Sequence, residues 1–150
     1  RAHRVRSPLA VSRYVLDANV PIKWFVPEDL TPQAVRLLET DHHSIVPDLV
    51  YPEAGNALWQ KLRRRQITMS EARAALDGIV SAPFTTYPTR ELASSALELA
   101  LQLDCTVYDG CYLSLAVLSR CQLVTGDRRF EALVSGPLRQ HVLPLASLPS

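Results

Sequence analysis

Four acidic residues could gather at one place, and the first of them follows a buried strand, where a carboxylate is costly unless a cation lies beside it. They are Asp17, Glu53, Asp109 and Asp127. Asp17 and Asp127 each follow a short apolar segment, whereas Glu53 and Asp109 belong to apolar patterns with helical spacing. Carboxylates that converged would repel one another, and a bound divalent cation would remove that repulsion. Mg²⁺ and Mn²⁺ prefer oxygen ligands and can activate water and polarise a phosphoryl oxygen, so the pattern predicts one shared metal site.

Short strands that alternate with longer helices must position these side chains. The strands are predicted at 13–16, 44–46, 84–87, 122–125 and 141–143. Helical periodicity between them, for example over 49–65 and 90–103, predicts a three-layer α/β/α sandwich with a mainly parallel central sheet. Ligands of such sheets bind at the carboxyl ends of the strands, where the strand order reverses. Asp17 and Asp127 are expected at two such ends, which makes a shared site reasonable.

Several polar residues are predicted to begin helices. Asn19, Thr31 and Asp48 are each expected to cap a helix, and residues 68–71 have the T-x-x-E form of a capping box. Asp109 is expected in the first turn of a helix that starts near Thr106, where the helix N-terminus favours a negative charge. Taken alone, Asp109 would be explained by that role and Asp127 by a turn.

Composition places few restrictions on the partner. The 150 residues are 47% hydrophobic and 21% charged with a net charge of +1, which is typical of one globular domain. Any contact with nucleic acid must therefore come from local basic segments. Arg63–Arg65 is interpreted as a solvated helix end, with RNA-backbone contact as the alternative. A phosphate contact is also considered for Lys23.

The first residues of the chain and its cysteines suggest where the folded domain begins and in which compartment the protein is found. Residues 1–12 are interpreted as a leader or extension outside the fold, with a basic RNA-binding arm as the alternative, and residues 13–150 as the domain. The three cysteines have no C-x-x-C spacing and are interpreted as reduced thiols. With no long apolar run, this predicts a cytoplasmic protein without membrane association.

Five segments in order resemble the motifs of PIN-domain ribonucleases, and most closely the VapC toxins of type II toxin–antitoxin pairs. The resemblance covers about residues 13–146. The segments are 14–19, Trp24-Phe25, 47–56, 107–116 and 123–127. Asn19 stands where many relatives carry Ser or Thr, and Gly110-Cys111 where a small apolar residue is more usual.

The resemblance implies Mg²⁺- or Mn²⁺-dependent hydrolysis of RNA phosphodiester bonds. It implies Asp17 and Asp109 as direct metal ligands, Glu53 as a ligand or water positioner, and Asp127 as an outer carboxylate. Asn19 and Thr125 take supporting positions, Thr125 either holding the attacking water or orienting Asp127. It also implies a homodimer and a cognate antitoxin whose tail covers the acidic cleft. The RNA target and the number of metal ions stay open.

Two other functions are compatible with parts of the pattern. A phosphatase with an aspartate nucleophile would also use a carboxylate after a strand, but such enzymes commonly present a second Asp two residues later, where this chain has Asn19. A catalytically silent PIN-like module would bind RNA or protein without cutting. The complete set of four acidic residues argues against that alternative.

Overall fold

A five-stranded parallel sheet organises the molecule, for which a computed structural model describes residues 11–150. The strand order is β3-β2-β1-β4-β5, and every neighbouring pair is parallel. The strands are β1 Ser12–Leu16, β2 His42–Pro47, β3 Thr85–Tyr87, β4 Gln122–Thr125 and β5 Val142–Pro144. The predicted strands and parallel sheet are confirmed, with shifted ends for all but β4. The predicted leader lies outside the described residues, apart from its last two positions.

Helices flank this sheet, as the alternating pattern predicted. They are α1 Asn19–Phe25, α2 Thr31–Leu38, α3 Val50–Arg63, α4 Met69–Ser81, α5 Thr89–Leu103, α6 Val107–Leu118 and α7 Arg128–Leu133, with 3₁₀ turns at Gly136–His141 and Leu145–Ser147. None of the helices within residues 11–150 combines the length and apolar character that crossing a membrane requires.

Helix α6 is deeply buried in the fold. Every residue from Gly110 to Ala116 is buried, so the helix is apolar on nearly all sides. A Cβ atom at Gly110 would lie 2.4 Å from the carbonyl oxygen of Ala96, which shows how closely α5 and α6 approach. This packing fixes the start of α6, where Asp109 lies.

A smaller apolar cluster joins α1, α3 and α4. It contains Ile22, Val26, Ala54, Leu58, Ala75 and Ile79. Ala54 and Leu58 point into it from α3, whereas Glu53, one residue before Ala54, lies on a different side of the same helix. The cluster therefore holds α3 in an orientation that leaves Glu53 free for the site.

The helix starts were only partly predicted. The capping box of Thr68 and Glu71 is confirmed, with both reciprocal hydrogen bonds formed. The predicted caps at Asn19, Thr31 and Asp48 are wrong, because each side chain accepts hydrogen bonds elsewhere. Asn19 binds Gly126, Thr31 binds the backbone N–H of Glu28, and Asp48 binds Thr89.

Candidate active site

The site lies where the strand order reverses, between β1 and β4. The strands that follow β1 in sequence, β2 and β3, lie on one side of it, whereas β4 and β5 lie on its other side. Leu16 is paired with Val124, and the backbone N–H of Asp17 donates to the carbonyl oxygen of Val124 at 3.0 Å. Asp17 therefore continues the ladder to the carboxyl edge of the sheet, where parallel sheets bind ligands.

Thr125 fixes the Asp17 carboxylate. Its hydroxyl donates to Oδ2 of Asp17 at 2.8 Å and accepts the backbone N–H of Asp127 at 3.1 Å. Thr125 is completely buried and Asp17 is 8% exposed. A fully buried hydroxyl with both interactions satisfied is suited to orienting its neighbours rather than to holding a water, which favours the second of the two roles considered for it.

Asn19 joins the loop after β4 to the start of α1. Its carboxamide oxygen accepts the backbone N–H of Gly126 at 3.0 Å. A Cβ atom at Gly126 would lie 3.4 Å from that oxygen and from Cε of Lys23. The loop that carries Asp127 is thus held directly against the helix that follows Asp17.

Glu53 reaches the site from α3 and is held there by α6. The hydroxyl of Tyr112 donates to Oε2 of Glu53 at 2.8 Å, and Tyr112 itself is buried. The sequence did not identify this hydrogen bond of Tyr112. The available signal was its position three residues after Asp109, which places both on one side of α6.

Asp109 and Asp127 both lie at helix starts. The backbone N–H of Asp109 donates to Oγ1 of the predicted cap Thr106 at 3.1 Å. Asp127 caps α7, with Oδ1 accepting the backbone N–H of Phe130 at 3.0 Å. Both carboxylates line a cleft of about 510 Å³ that also contains Arg129.

The charges of the four carboxylates influence one another. Burial, opposed by the hydrogen bond from Thr125 and aided by the charges of Glu53, Asp109 and Asp127, raises the pKa of Asp17 to about 7. Burial also raises the pKa of Glu53 and of Asp109; Asp109 repels Glu53, and Asp127 repels Asp109. The structure thus brings the other three predicted residues within electrostatic reach of Asp17.

This donor set fits a hard divalent cation. All four groups are carboxylates, and the raised pKa values of three of them reflect a cost that a cation would relieve. Within residues 11–150 no group of three or more acidic, histidine or cysteine side chains is already arranged to hold a metal ion. Asp17 and Glu53 instead accept hydrogen bonds from hydroxyl groups, and Asp127 caps a helix.

The neighbouring cysteines are poorly suited to nucleophilic chemistry. Burial and the charge of Asp109 raise the pKa of the Cys105 thiol, and burial and the charge of Glu53 raise that of Cys111. A thiol acts as a nucleophile through its thiolate, which these surroundings disfavour. This leaves the carboxylates as the candidate functional groups of this region.

An ion-paired cluster flanks the site and was not identified from the sequence. Glu28, after α1, accepts a hydrogen bond from Nζ of Lys23 at 2.9 Å and another from Lys61 of α3. Burial raises the pKa of Glu28, but the two ammonium groups outweigh that effect and lower it. Lys23, for which a phosphate contact was considered, is buried, and its ammonium group pairs with Glu28.

Over most of its length this chain is similar to proteins of one family. The PIN domain family matches residues 14–134. Ribonuclease VapC3 of Pyrobaculum aerophilum is 31% identical over 82% of this chain and 98% of its own length. PAE2754 of the same organism shares the fold at 24% identity and a TM-score of 0.65, covering 95% of this chain and 90% of that one.

A toxin–antitoxin complex from Klebsiella pneumoniae contains a chain with the same fold. The TM-score is 0.58 and the identity 18%, covering 88% of this chain and 97% of that chain. The fold and the parallel strand order agree with the family match. The chain belongs to the PIN-domain family and, within it, to the VapC-type ribonucleases.

Proposed function

We propose that this protein is a Mg²⁺- or Mn²⁺-dependent endoribonuclease that hydrolyses RNA phosphodiester bonds. The observation that carries the proposal is that Asp17 lies at the strand-order reversal within electrostatic reach of Glu53, Asp109 and Asp127, where burial, with the repulsion of these three charges added, raises the pKa of Asp17 to about 7. A site of this kind is costly on its own and is relieved by a divalent cation.

Asp17 and Asp109 are the direct metal ligands in this proposal. Glu53 is a third ligand or positions the attacking water, and Asp127 is the outer carboxylate. The bound cation would supply Lewis-acid stabilisation of the phosphoryl oxygens and a water of lowered pKa. Thr125 and Tyr112 are positioning residues, because their hydroxyl groups hold the carboxylates of Asp17 and Glu53. Asn19 positions the loop that carries Asp127.

A toxin role with a cognate antitoxin is part of the same proposal. The structure from Klebsiella pneumoniae that shares this fold is a toxin–antitoxin complex, which supports an antitoxin partner here. We propose that the antitoxin covers the acidic cleft with a basic side chain, and that the nuclease is a homodimer. Recovery from the native cell without any small protein partner would count against the antitoxin.

Two rival functions are less well supported. A phosphatase of this kind commonly has a second Asp two residues after the nucleophile, but Asn19 occupies that position and its carboxamide oxygen accepts a hydrogen bond from Gly126. A silent binding module would have no need of four repelling carboxylates or of the hydroxyl groups that hold two of them. The arrangement therefore favours cleavage over simple binding.

The decisive experiment is incubation of total RNA with purified protein and Mg²⁺ or Mn²⁺, followed by mapping of the new ends. Parallel reactions contain EDTA or the Asp109→Asn variant. Asp77→Asn, at an exposed position of α4, is the matched control for the loss of one negative charge. Discrete cuts in the wild type and Asp77→Asn, absent from the other two reactions, are expected. The cuts would also identify the RNA target.

The contrary result is equally informative. If no metal supports cutting, and Asp109→Asn matches the wild type in metal-induced thermal stabilisation and RNA binding, the active-site assignment is wrong. The silent binding module is then the better function.

A further inference from the structure

A cleft of about 470 Å³ opens beside the acidic residues and is distinct from the one that contains Arg129. Asp17 and Glu53 form one side of it, and α1, α3 and the start of α6 supply the rest. Its volume falls in the range of about 300–1,000 Å³ that is usual for sites that hold a small molecule or a group of that size. The cleft is therefore large enough to receive part of a substrate.

One stripe of α3 places two amide side chains in this cleft. Asn56 and Gln60 follow Glu53 by three and seven residues, so the three side chains project from the same side of the helix. Both amides are exposed and line the cleft, whereas Ile22 and Leu49 give it an apolar floor. A carboxamide offers both a donor and an acceptor, which matches the edge of a nucleobase.

An aromatic ring completes the cleft. Tyr108 lies immediately before Asp109 in the first turn of α6, and its side chain is 60% exposed. Exposed aromatic rings are the usual stacking partners of unpaired RNA bases. The sequence provided no reason to separate Tyr108 from the aromatic residues of the core, because its exposure depends on the depth of α6.

The charges of the cleft favour a base over a phosphate. The described residues that line it include Asp17 and Glu53 but neither lysine nor arginine. Apart from a cation held by Asp17 and Glu53, the described lining offers a phosphate no positive charge, whereas an uncharged base would lose little on leaving water for a partly apolar surface. The cleft next to Asp109 and Asp127 contains Arg129 and is better suited to the RNA backbone.

We infer that this cleft is a base-specificity subsite for one unpaired nucleobase adjoining the scissile phosphate. The base stacks on Tyr108, and its edge hydrogen-bonds to Asn56 and Gln60. This inference rests on the proposed nuclease function. It deepens that function by placing base recognition on named residues and by restricting the substrate to unpaired RNA at that position.

The test uses a short oligoribonucleotide that contains the mapped cleavage site, and matched oligonucleotides in which each flanking base is changed or removed. Tyr108→Ala should lower kcat/KM by about 5- to 150-fold, as expected for one lost stacking interaction. Tyr108→Phe keeps the ring and should stay within about twofold. Wild type and Tyr108→Ala should cleave the oligonucleotide that lacks the recognised base equally slowly.

The amides are tested through base preference. Asn56→Ala and Gln60→Ala should each reduce discrimination among the four bases at that position by about 2- to 10-fold, the effect of a lost neutral hydrogen bond. Gln102→Ala, an exposed glutamine of α5, is the matched control and should change nothing. Equal preference in wild type and both amide variants would overturn the assignment of the edge contacts.

Binding measured without cleavage separates this inference from the proposed function. In EDTA, the fluorescence anisotropy of a labelled oligoribonucleotide should show weaker binding to Tyr108→Ala than to wild type or Tyr108→Phe. If wild type cuts RNA but Tyr108→Ala cuts and binds it equally well, the subsite is wrong and the nuclease stands. Loss of antitoxin binding alone in Tyr108→Ala would show a peptide site instead. If nothing is cut but the binding difference persists, the nuclease fails and the base site remains.

Discussion

The buried carboxylate of Asp17 makes the stability of the metal-free protein depend on pH. Its folded-state pKa is raised to about 7 by burial and by its acidic neighbours. The folded protein therefore binds this proton more tightly than the unfolded chain does. The resulting stabilisation is complete below the unfolded pKa of 3.8 and is lost as the pH rises through about 7.

The size of the effect follows from that pKa. One pKa unit corresponds to about 1.4 kcal/mol, so the whole change from 3.8 to about 7 corresponds to about 4 kcal/mol. Between about pH 5 and pH 8 the loss for this group is about 2 to 3 kcal/mol. Asp17→Asn removes the titrating charge and keeps a side-chain oxygen that can accept the hydroxyl of Thr125. It should therefore gain stability relative to wild type as the pH rises.

Urea denaturation in EDTA across this pH range measures the prediction directly. The difference in unfolding free energy between Asp17→Asn and wild type should grow by about 2 to 3 kcal/mol from pH 5 to pH 8. Asp41→Asn, which alters an exposed carboxylate before β2, should leave the slope of the wild type unchanged. Parallel pH profiles for Asp17→Asn and wild type would refute the burial and clustering of the carboxylates.

Two further substitutions test how the neighbouring helices hold the site. Tyr112→Phe removes the hydrogen bond that lowers the pKa of Glu53, so denaturation should show a loss of about 1 to 3 kcal/mol and the acid limb of the pH–rate profile should move to higher pH. Gly110→Ala would bring a Cβ atom within 2.4 Å of Ala96 O and should destabilise the fold by about 1 to 3 kcal/mol or more. Gly55→Ala, with open space around the added Cβ atom, should leave the free energy of unfolding unchanged or raise it by up to about 1 kcal/mol in the same denaturation experiments.

The elements of the fold could be predicted because their signals are local. Short apolar segments located the strands and period-3.6 patterns the helices, and the capping box at Thr68 was correct because its two partners lie three residues apart. The placement of Asp17 and Asp127 followed from a general property of parallel sheets, namely that ligands collect where strand order reverses. These inferences needed no knowledge of which side chains meet across the core.

The errors occurred where a polar side chain had a choice of partners. Asn19 and Asp48 have the residue types of helix caps, but their oxygen atoms accept hydrogen bonds from Gly126 and Thr89, which are distant in sequence. The bond between Tyr112 and Glu53 is equally non-local, since it joins α3 to α6. Sequence spacing identifies a donor or an acceptor, but only the packed structure decides which partner it has.

Two non-local hydrogen bonds, from Thr125 to Asp17 and from Tyr112 to Glu53, also explain why the acidic cluster can exist in a folded protein. Thr125 and Tyr112 each donate to a carboxylate that burial would otherwise leave without a partner, and each hydrogen bond lowers the pKa that burial raises. The compensation is incomplete, because the pKa of Asp17 stays near 7. The remaining cost is what a divalent cation would relieve, so cation binding and fold stability should be linked through the same residues.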